Sequence, residues 1–437
     1  MSNLYRSPVL TIFFQLDPFN PTIGGIQTCI KYILKYAPVA FHIQLVGITQ
    51  EKSAVGRWQT ARLHGREFAF LPLLQIADDN IRGVVPTTLR YTLALRQYLT
   101  KNEISSDFYQ FHRIEPTVFA KALHGTKLLY IHNDIYQEVK GGQKGGILWK
   151  RFPWAYFALE RRLVSQFDRI LSCNSESVRL YQQQYPAIAQ RVSYLRNTYD
   201  SELFFPLSAQ FKAQAKSQLL QRLGLKAHTK LILFAGRLHP QKQPVLLIQA
   251  MAELQKQLTQ LANTPPEAHL LSPFLSHLLI VGSGELEGAV RSEIKRLNLD
   301  QQVTLLGSLP QHELAELYKV CDLFVLTSAY EGLARGSLEA LACGTPVVTT
   351  QAGETPNFLT AQSGLVCGRS AVEIAHCWQQ VLQQPERFPA AACTQVTEPF
   401  EARRVVEALY GELLSQWQTQ QAPSAQIDPL LTSYQTL

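Results

Sequence analysis

No run of about 18 apolar residues occurs in this 437-residue chain, so it contains no segment of the composition that crosses a bilayer as a helix. The apolar block at 9–14 is too short and too poorly flanked for a secretory signal and reads as a first buried strand. The seven cysteines are scattered without a Cys-x-x-Cys pair. An odd number without metal-ligand spacing argues against a disulfide framework and for reduced thiols in a cytosolic protein. Cys29, Cys173, Cys321 and Cys343 sit among apolar neighbours and read as small core residues. There is no Gly-x-Gly-x-x-Gly, which removes the fingerprint of a dinucleotide-dependent oxidoreductase. Asp-x-Asp is also absent. The net charge of +7 permits an anionic partner without demanding one, and no nucleic-acid module is recognisable, so no nucleic-acid partner is expected.

What is present is alternation. Hydrophobic residues make up 46% of the chain, and the length suits two or three domains of roughly 100–200 residues each. Strand-like runs at 9–14, 43–48, 67–71, 108–111, 127–132, 169–173 and 192–195 are separated by helix-like stretches such as 25–36, 87–99 and 116–123. The second half repeats the style, with strands at 230–235, 277–281, 302–306, 323–327, 346–349 and 365–367 and helices at 244–262, 285–297, 312–320 and 337–342. Strands alternating with helices predict an α/β protein with mainly parallel sheets. The expected organisation is a first Rossmann-like domain over 1–200, a second over 207–399, a helix over 400–418 and a polar tail over 419–437. Residues 263–273, which carry Pro-Pro, read as a loop insertion.

The most informative stretch runs from Ser328 to Val348. Glu331 and Glu339 lie eight positions apart, with Gly332 and Gly336 between them and Gly344-Thr345-Pro346 after them. An apolar run precedes the block and Val347-Val348 follows it, which reads as strand, loop, helix, turn, strand. In an open α/β sheet a ligand binds where a strand's carboxyl end meets a helix amino end, and free N–H groups there favour a diphosphate. Carboxylates do not bind phosphate; they accept hydrogen bonds from hydroxyls, and phosphate with hydroxyls suggests a nucleotide sugar. Arg237 and Lys242, after an apolar strand and before a helix opened by Pro244, suit two phosphate groups or a surface ion pair. Gly24-Gly25 falls in the first strand-to-helix loop and reads equally as a ligand approach or a turn. Gly282-Ser283-Gly284 ends another strand, and Ser308 sits at a strand end where a base would stack.

These units together resemble glycosyltransferase family 4, with its GT-B fold of two Rossmann-like domains around a cleft. The matching residues are Ala235-Gly236-Arg237 with Lys242, the 281–285 loop, the 307–322 stretch and the Glu331–Glu339 block, with weaker matches at Gly24-Gly25, 129–132, 173–175 and 196–200. The resemblance implies that Arg237 and Lys242 hold the donor diphosphate and stabilise the leaving group. It implies that Glu339 accepts hydrogen bonds from the ribose and Glu331 lies at the donor-sugar hydroxyls. Backbone N–H groups of Leu333 and Ala334 would face phosphate, Gly25 would let the first domain approach it, and His132 would contact the sugar. It implies a retaining reaction without a side-chain nucleophile, and a last helix packed back on the first domain. The other large glycosyltransferase fold uses Asp-x-Asp to hold a metal, so its absence agrees with a reaction that needs neither metal nor cofactor. Two departures stand out. Asn357 occupies a position where Glu is common in the family, and Leu333-Ala334-Arg335 replaces the more usual Phe-Gly pairing.

The first domain is expected to hold the acceptor. His112 and Arg113, with Asn133 and Arg196, are candidate contacts. The basic and aromatic stretch 139–162 reads either as a surface helix with its rings on the core or as a contact for an anionic membrane or lipid-linked acceptor. The expected protein is a cytoplasmic glycosyltransferase, with peripheral attachment to the inner face of the membrane as a further option. It would move a hexose from a nucleotide-diphosphate sugar, such as a UDP-sugar, to a hydroxyl of a glycan or lipid-linked acceptor in polysaccharide biosynthesis. The rivals are a non-catalytic nucleotide-sugar-binding scaffold on the same fold and a GT-B nucleotide-sugar isomerase.

Overall fold

The computed structural model describes residues 6–20, 24–76, 85–132, 153–263 and 273–421. The first sheet contains β1 (Val9–Phe13), β2 (His42–Thr49), β3 (Gln59–Leu63), β4 (Arg66–Gln75), β5 (Phe108–Phe111), β6 (Thr126–Ile131), β7 (Arg169–Ser172) and β8 (Val192–Tyr194). Its order is β3-β4-β2-β1-β5-β6-β7-β8, parallel except for β3, which runs antiparallel to β4. The second sheet contains β9 (Lys230–Ala235), β10 (Ser276–Val281), β11 (Val303–Gly307), β12 (Leu323–Leu326), β13 (Val347–Thr350) and β14 (Gly364–Cys367). Its order is β11-β10-β9-β12-β13-β14, parallel throughout.

The apolar runs explain the layering. All residues of β10, β12 and β13 are buried, as expected of parallel strands covered by helices on both faces. The strand order reverses between β1 and β5 in the first sheet and between β9 and β12 in the second. Such reversals open crevices at the carboxyl ends of the strands. The loops that follow β1, β5, β9 and β12 are therefore the ones placed to meet a ligand.

Two chain segments join the domains. Tyr199 N–H donates to Phe400 O at 3.1 Å, and Ala402 N–H donates to Tyr199 O at 2.9 Å. After that crossing the helix Ala402–Gln421 lies on the first domain, burying Val406, Leu409, Tyr410 and Leu413 in its core. Tyr410 packs edge-on to Phe41 at 4.8 Å, and Arg169 pairs with Glu412 at 2.6 Å.

Two local features differ from the sequence reading. β3 is an added edge strand. The stretch Glu115–Ala122 is wound as a tight 3-10 segment, with Thr117 N–H bonded to Ile114 O at 3.1 Å. Among the described residues no helix is long and apolar enough to cross a membrane. Of the basic stretch, 139–152 lies outside the described residues. The helix Pro153–Leu163 buries Tyr156 and Leu163, while Trp154, Arg161 and Arg162 are exposed.

Candidate active site

The loop after β9 and the loop after β12 are tied together at the second domain's switch point. Ala329 N–H donates to Gln241 O at 2.8 Å, and Gln241 Nε2 donates to Tyr330 O at 3.0 Å. Thr327 Oγ1 donates to Lys242 O at 2.8 Å. This stitching brings Lys242 Nζ onto Glu331 Oε1, and Ser328 Oγ donates to the same oxygen at 2.5 Å. Both groups are largely withdrawn from solvent, so the pair is held in a medium where charge interactions are strong. Both bonds fall on Oε1, and Glu331 Oε2 has no partner among the described residues. Arg237, on the loop that follows β9, is exposed and free of ion pairs among the described residues. Ser308 is exposed and bonded to Ser283 Oγ at 3.0 Å, on the loops that end β10 and β11.

The helix Arg335–Ala342 starts directly after Leu333 and Ala334, whose N–H groups find no acceptor among the described residues. Glu339 is buried one turn into it, near Tyr318, Gln311 and Arg335. Burial raises its pKa above the ordinary carboxylate value, while the Arg335 charge and bonds from Tyr318 and Gln311 pull it down. Arg335 Nε lies 3.9 Å from Glu339 Oε1, and the guanidinium stacks over Tyr32 of the first domain at 5.0 Å. Sequence reasoning met Arg335 only as a departure from a pattern. Its cross-domain stacking depends on a contact 303 positions away in the chain (335 − 32), which no local signal reports.

The first domain faces this block. A Cβ placed on Gly25 would sit 3.9 Å from Arg335 Cδ, and one on Gly332 would sit 3.3 Å from His132 O. His132 is thus brought to the loop that carries Glu331, and Gly25 to the start of the helix that carries Glu339. The remaining candidates are dispersed. Arg113 is exposed. His112 is buried at 3% exposure with both ring nitrogens engaged, so it does not offer the direct acceptor contact expected of it. Arg196 is exposed and lines a separate hollow between β7–β8 and the C-terminal helix. Asn133 lies outside the described residues.

A polar cavity of about 500 Å³ lies between the domains, lined by residues that include Asn174, Arg179, Tyr330, Asn357 and Arg369. At its wall Glu354 accepts from Ser175 N–H and Ser175 Oγ, both at 2.6 Å, and from Asn357 Nδ2 at 3.1 Å. Glu354 thereby caps the helix Ser175–Gln184 from the opposite domain. Burial pushes the Cys29 thiol up to about 11 and the Cys173 thiol to about 12, so neither is a thiolate nucleophile. Among the described residues no three His, Cys, Asp or Glu side chains cluster as a metal site would require.

Comparison with known proteins agrees with this arrangement. Residues 216–390 match the model of the family described as glycosyl transferases group 1. The D-inositol 3-phosphate glycosyltransferase of Segniliparus rotundus is 30% identical over 236 residues, covering 53% of this chain and 48% of that protein. The enzyme of the same description from Frankia alni is 31% identical over 233 residues, covering 52% and 53%. The matched region thus spans about half the length of these curated relatives. Among solved structures, sucrose-phosphate synthase from Thermosynechococcus elongatus superposes with a TM-score of 0.72 at 18% identity, over 95% of this chain and all of that one. Anabaena HepE, solved in complex with UDP and glucose, superposes with a TM-score of 0.65 at 18% identity, over 93% of this chain and all of that one. At these identities the superpositions speak for the fold, which is GT-B, and residues 216–390 of this chain are similar to the group 1 glycosyl transferases.

Proposed function

We propose that this protein is a retaining glycosyltransferase that moves a hexose from a nucleotide-diphosphate sugar to an acceptor hydroxyl. The observation that carries the reading is the Lys242–Glu331 pair at the β9/β12 switch point, with His132 of the other domain brought to the Glu331 loop and Gly25 to Arg335 at the start of the helix that follows it. A paired cation and carboxylate, with Arg237 unengaged on the loop that follows β9, match a ligand that is part phosphate and part polyol.

In this reading Arg237 and Lys242 hold the diphosphate and stabilise the charge that develops on it as the glycosidic bond breaks. Leu333 and Ala334 add backbone N–H groups to the same phosphates. Glu339 accepts from the ribose, Glu331 Oε2 from a sugar hydroxyl, and Ser308 borders the base. The acceptor oxygen bonds to the anomeric carbon as the phosphate oxygen departs, and the acceptor proton passes to that phosphate, so no side-chain nucleophile is required. The reaction needs no metal, and transfer is expected to persist in EDTA.

UDP is the favoured nucleotide because the HepE neighbour was solved with UDP and glucose. The acceptor is a glycan or a lipid-linked sugar, or a phosphorylated polyol as the name of the curated relatives suggests. Arg179 and Arg369, at the interdomain cavity, suit an anionic group on it. A cytoplasmic enzyme acting on a lipid-linked acceptor would meet the membrane surface through exposed Trp154, Arg161 and Arg162, which liposome co-sedimentation tests.

Incubation with UDP-, GDP- and ADP-sugars, measuring released nucleotide, tests the central claim. Release from one donor is expected to disappear in Lys242→Ala and Glu331→Ala while both variants keep the wild-type melting profile. Wild-type turnover in both variants would sink the assignment. The anomeric configuration of the product, read by NMR, decides retention.

A further inference from the structure

His112 is too deeply buried to touch a ligand, yet both of its ring nitrogens are engaged. Gln110 Nε2 lies 2.7 Å from His112 Nε2, and His112 Nδ1 lies 2.7 Å from His132 Nε2. The polarity of this chain follows from its first member. The Gln110 carboxamide is placed with Nε2 towards His112 and leaves its buried Oε1 without a partner; in that orientation it donates, and His112 Nε2 is an acceptor. A neutral imidazole whose Nε2 accepts carries its proton on Nδ1, and that N–H donates to His132 Nε2. His132 Nε2 therefore accepts, and the proton of His132 rests on Nδ1. The same reasoning leaves Nδ1 as the one ring nitrogen of His132 not committed to this chain.

The surroundings hold the rings in place. His112 and His132 stack with centroids 5.0 Å apart and planes 17° from parallel, and Tyr130, on β6 two residues before His132, lies 4.8 Å from His112. Phe14 closes on His112 edge-first at 5.9 Å. Gln110 and His112 are fixed by β5, and His132 follows directly on β6. Burial keeps His112 neutral, and the packed atoms around His132, with the charges of Arg113 and Arg335, keep it neutral as well.

We infer that Gln110 and His112 are positioning residues that fix His132 as the Nδ1–H tautomer, so that His132 serves the cleft as a neutral hydrogen-bond donor to a sugar oxygen and not as a proton acceptor. The identity of the sugar oxygen rests on the glycosyltransferase reading. The tautomer does not.

The test has two arms. Long-range proton–nitrogen correlation spectra of ligand-free 15N-labelled protein, with His132 assigned by comparison with His132→Phe, are expected to show a protonated Nδ1 and a bare Nε2 at about pH 7. A proton on Nε2, or an imidazolium, overturns the inference. In the second arm His112→Phe keeps a stacked ring but removes the donor, and His112→Asn restores an N–H near the place of Nδ1. The first variant is expected to give mixed His132 tautomers and about a tenfold loss in kcat/KM for the donor, and the second to recover most of both. A single Nδ1–H tautomer surviving in His112→Phe overturns the positioning role. If His112→Phe does not fold, Gln110→Met removes the first donor instead, with the same two readouts. Absence of nucleotide release from every sugar tried would defeat the glycosyltransferase reading while leaving the ligand-free spectra to decide the tautomer.

Discussion

Glu339 and the two cleft histidines meet burial with opposite consequences. For Glu339, burial favours the protonated acid, and the Arg335 charge 3.9 Å away resists that. In the proposed reading Glu339 must be a carboxylate to accept two ribose hydroxyls, so nucleotide binding should fade as the pH falls through the Glu339 pKa. Arg335→Met removes the opposing charge and raises that pKa further. The fade is therefore expected to begin at higher pH than in the wild type, measured by calorimetric titration with UDP across pH. An unchanged pH profile would mean that Arg335 does not govern Glu339. For the histidines the sign is reversed. His132 is lowered from 6.5 to about 3, and His112 is lowered as well, so both stay neutral when folded while the unfolded chain takes up protons. Their contribution to stability is complete above pH 6.5 and is lost as the pH falls towards about 3. The urea midpoint of His132→Phe should accordingly fall less steeply than the wild type's below pH 6.5.

At the level of elements, the loop after β10 shows how much of the proposed donor site is backbone. Gly282 has φ +129°, and a Cβ there would lie 2.0 Å from Gly236 O, the carbonyl next to Arg237. Gly282→Ala is expected to cost roughly 2–4 kcal/mol in denaturant unfolding and to displace the Arg237 loop, weakening UDP binding. Stability within experimental error of wild type would show that the loop yields without harm. The sheets themselves were legible because β9, β10, β12 and β13 are continuous apolar runs of strand length bounded by glycine and proline signals. β3 was not, because Gln59-Thr60-Ala61-Arg62-Leu63 buries only Ala61 and owes its strand geometry to β4. The Glu331–Glu339 spacing and Arg237–Lys242 were equally legible, since each lies in one loop or helix. The His112–His132 pair and the Glu354 cap were not. His112 reads as an exposed loop residue until β5 and β6 are set side by side, and Glu354 finds Ser175 across 179 positions.

At the scale of the whole molecule, Glu354 converts a helix cap into a domain contact. The helix Ser175–Gln184 belongs to the first domain, yet its first N–H is satisfied by a carboxylate of the second, alongside its own Asn174 cap. Opening the cleft breaks the Ser175–Glu354 bonds, the Gln311–Tyr32 hydrogen bond at 3.0 Å and the Arg335–Tyr32 stack. The tether at Tyr199 and Ala402 pairs the two linking segments with each other, through its backbone bonds and through Ser201–Glu401 at 2.8 Å and Arg403–Glu202 at 2.9 Å, and can stay paired while the domains part. A cap is worth about 1 kcal/mol, which shifts an open–closed ratio roughly fivefold. Glu354→Ala should therefore raise the radius of gyration of the ligand-free protein in solution scattering, with the wild-type value recovered on adding saturating donor. It should also raise the donor KM more than it lowers kcat, because the donor must now close a cleft that the wild type holds nearly closed. A radius of gyration identical to wild type, together with an unchanged KM, would assign Glu354 to local helix capping alone and place the closing force in the Arg335–Tyr32 contact.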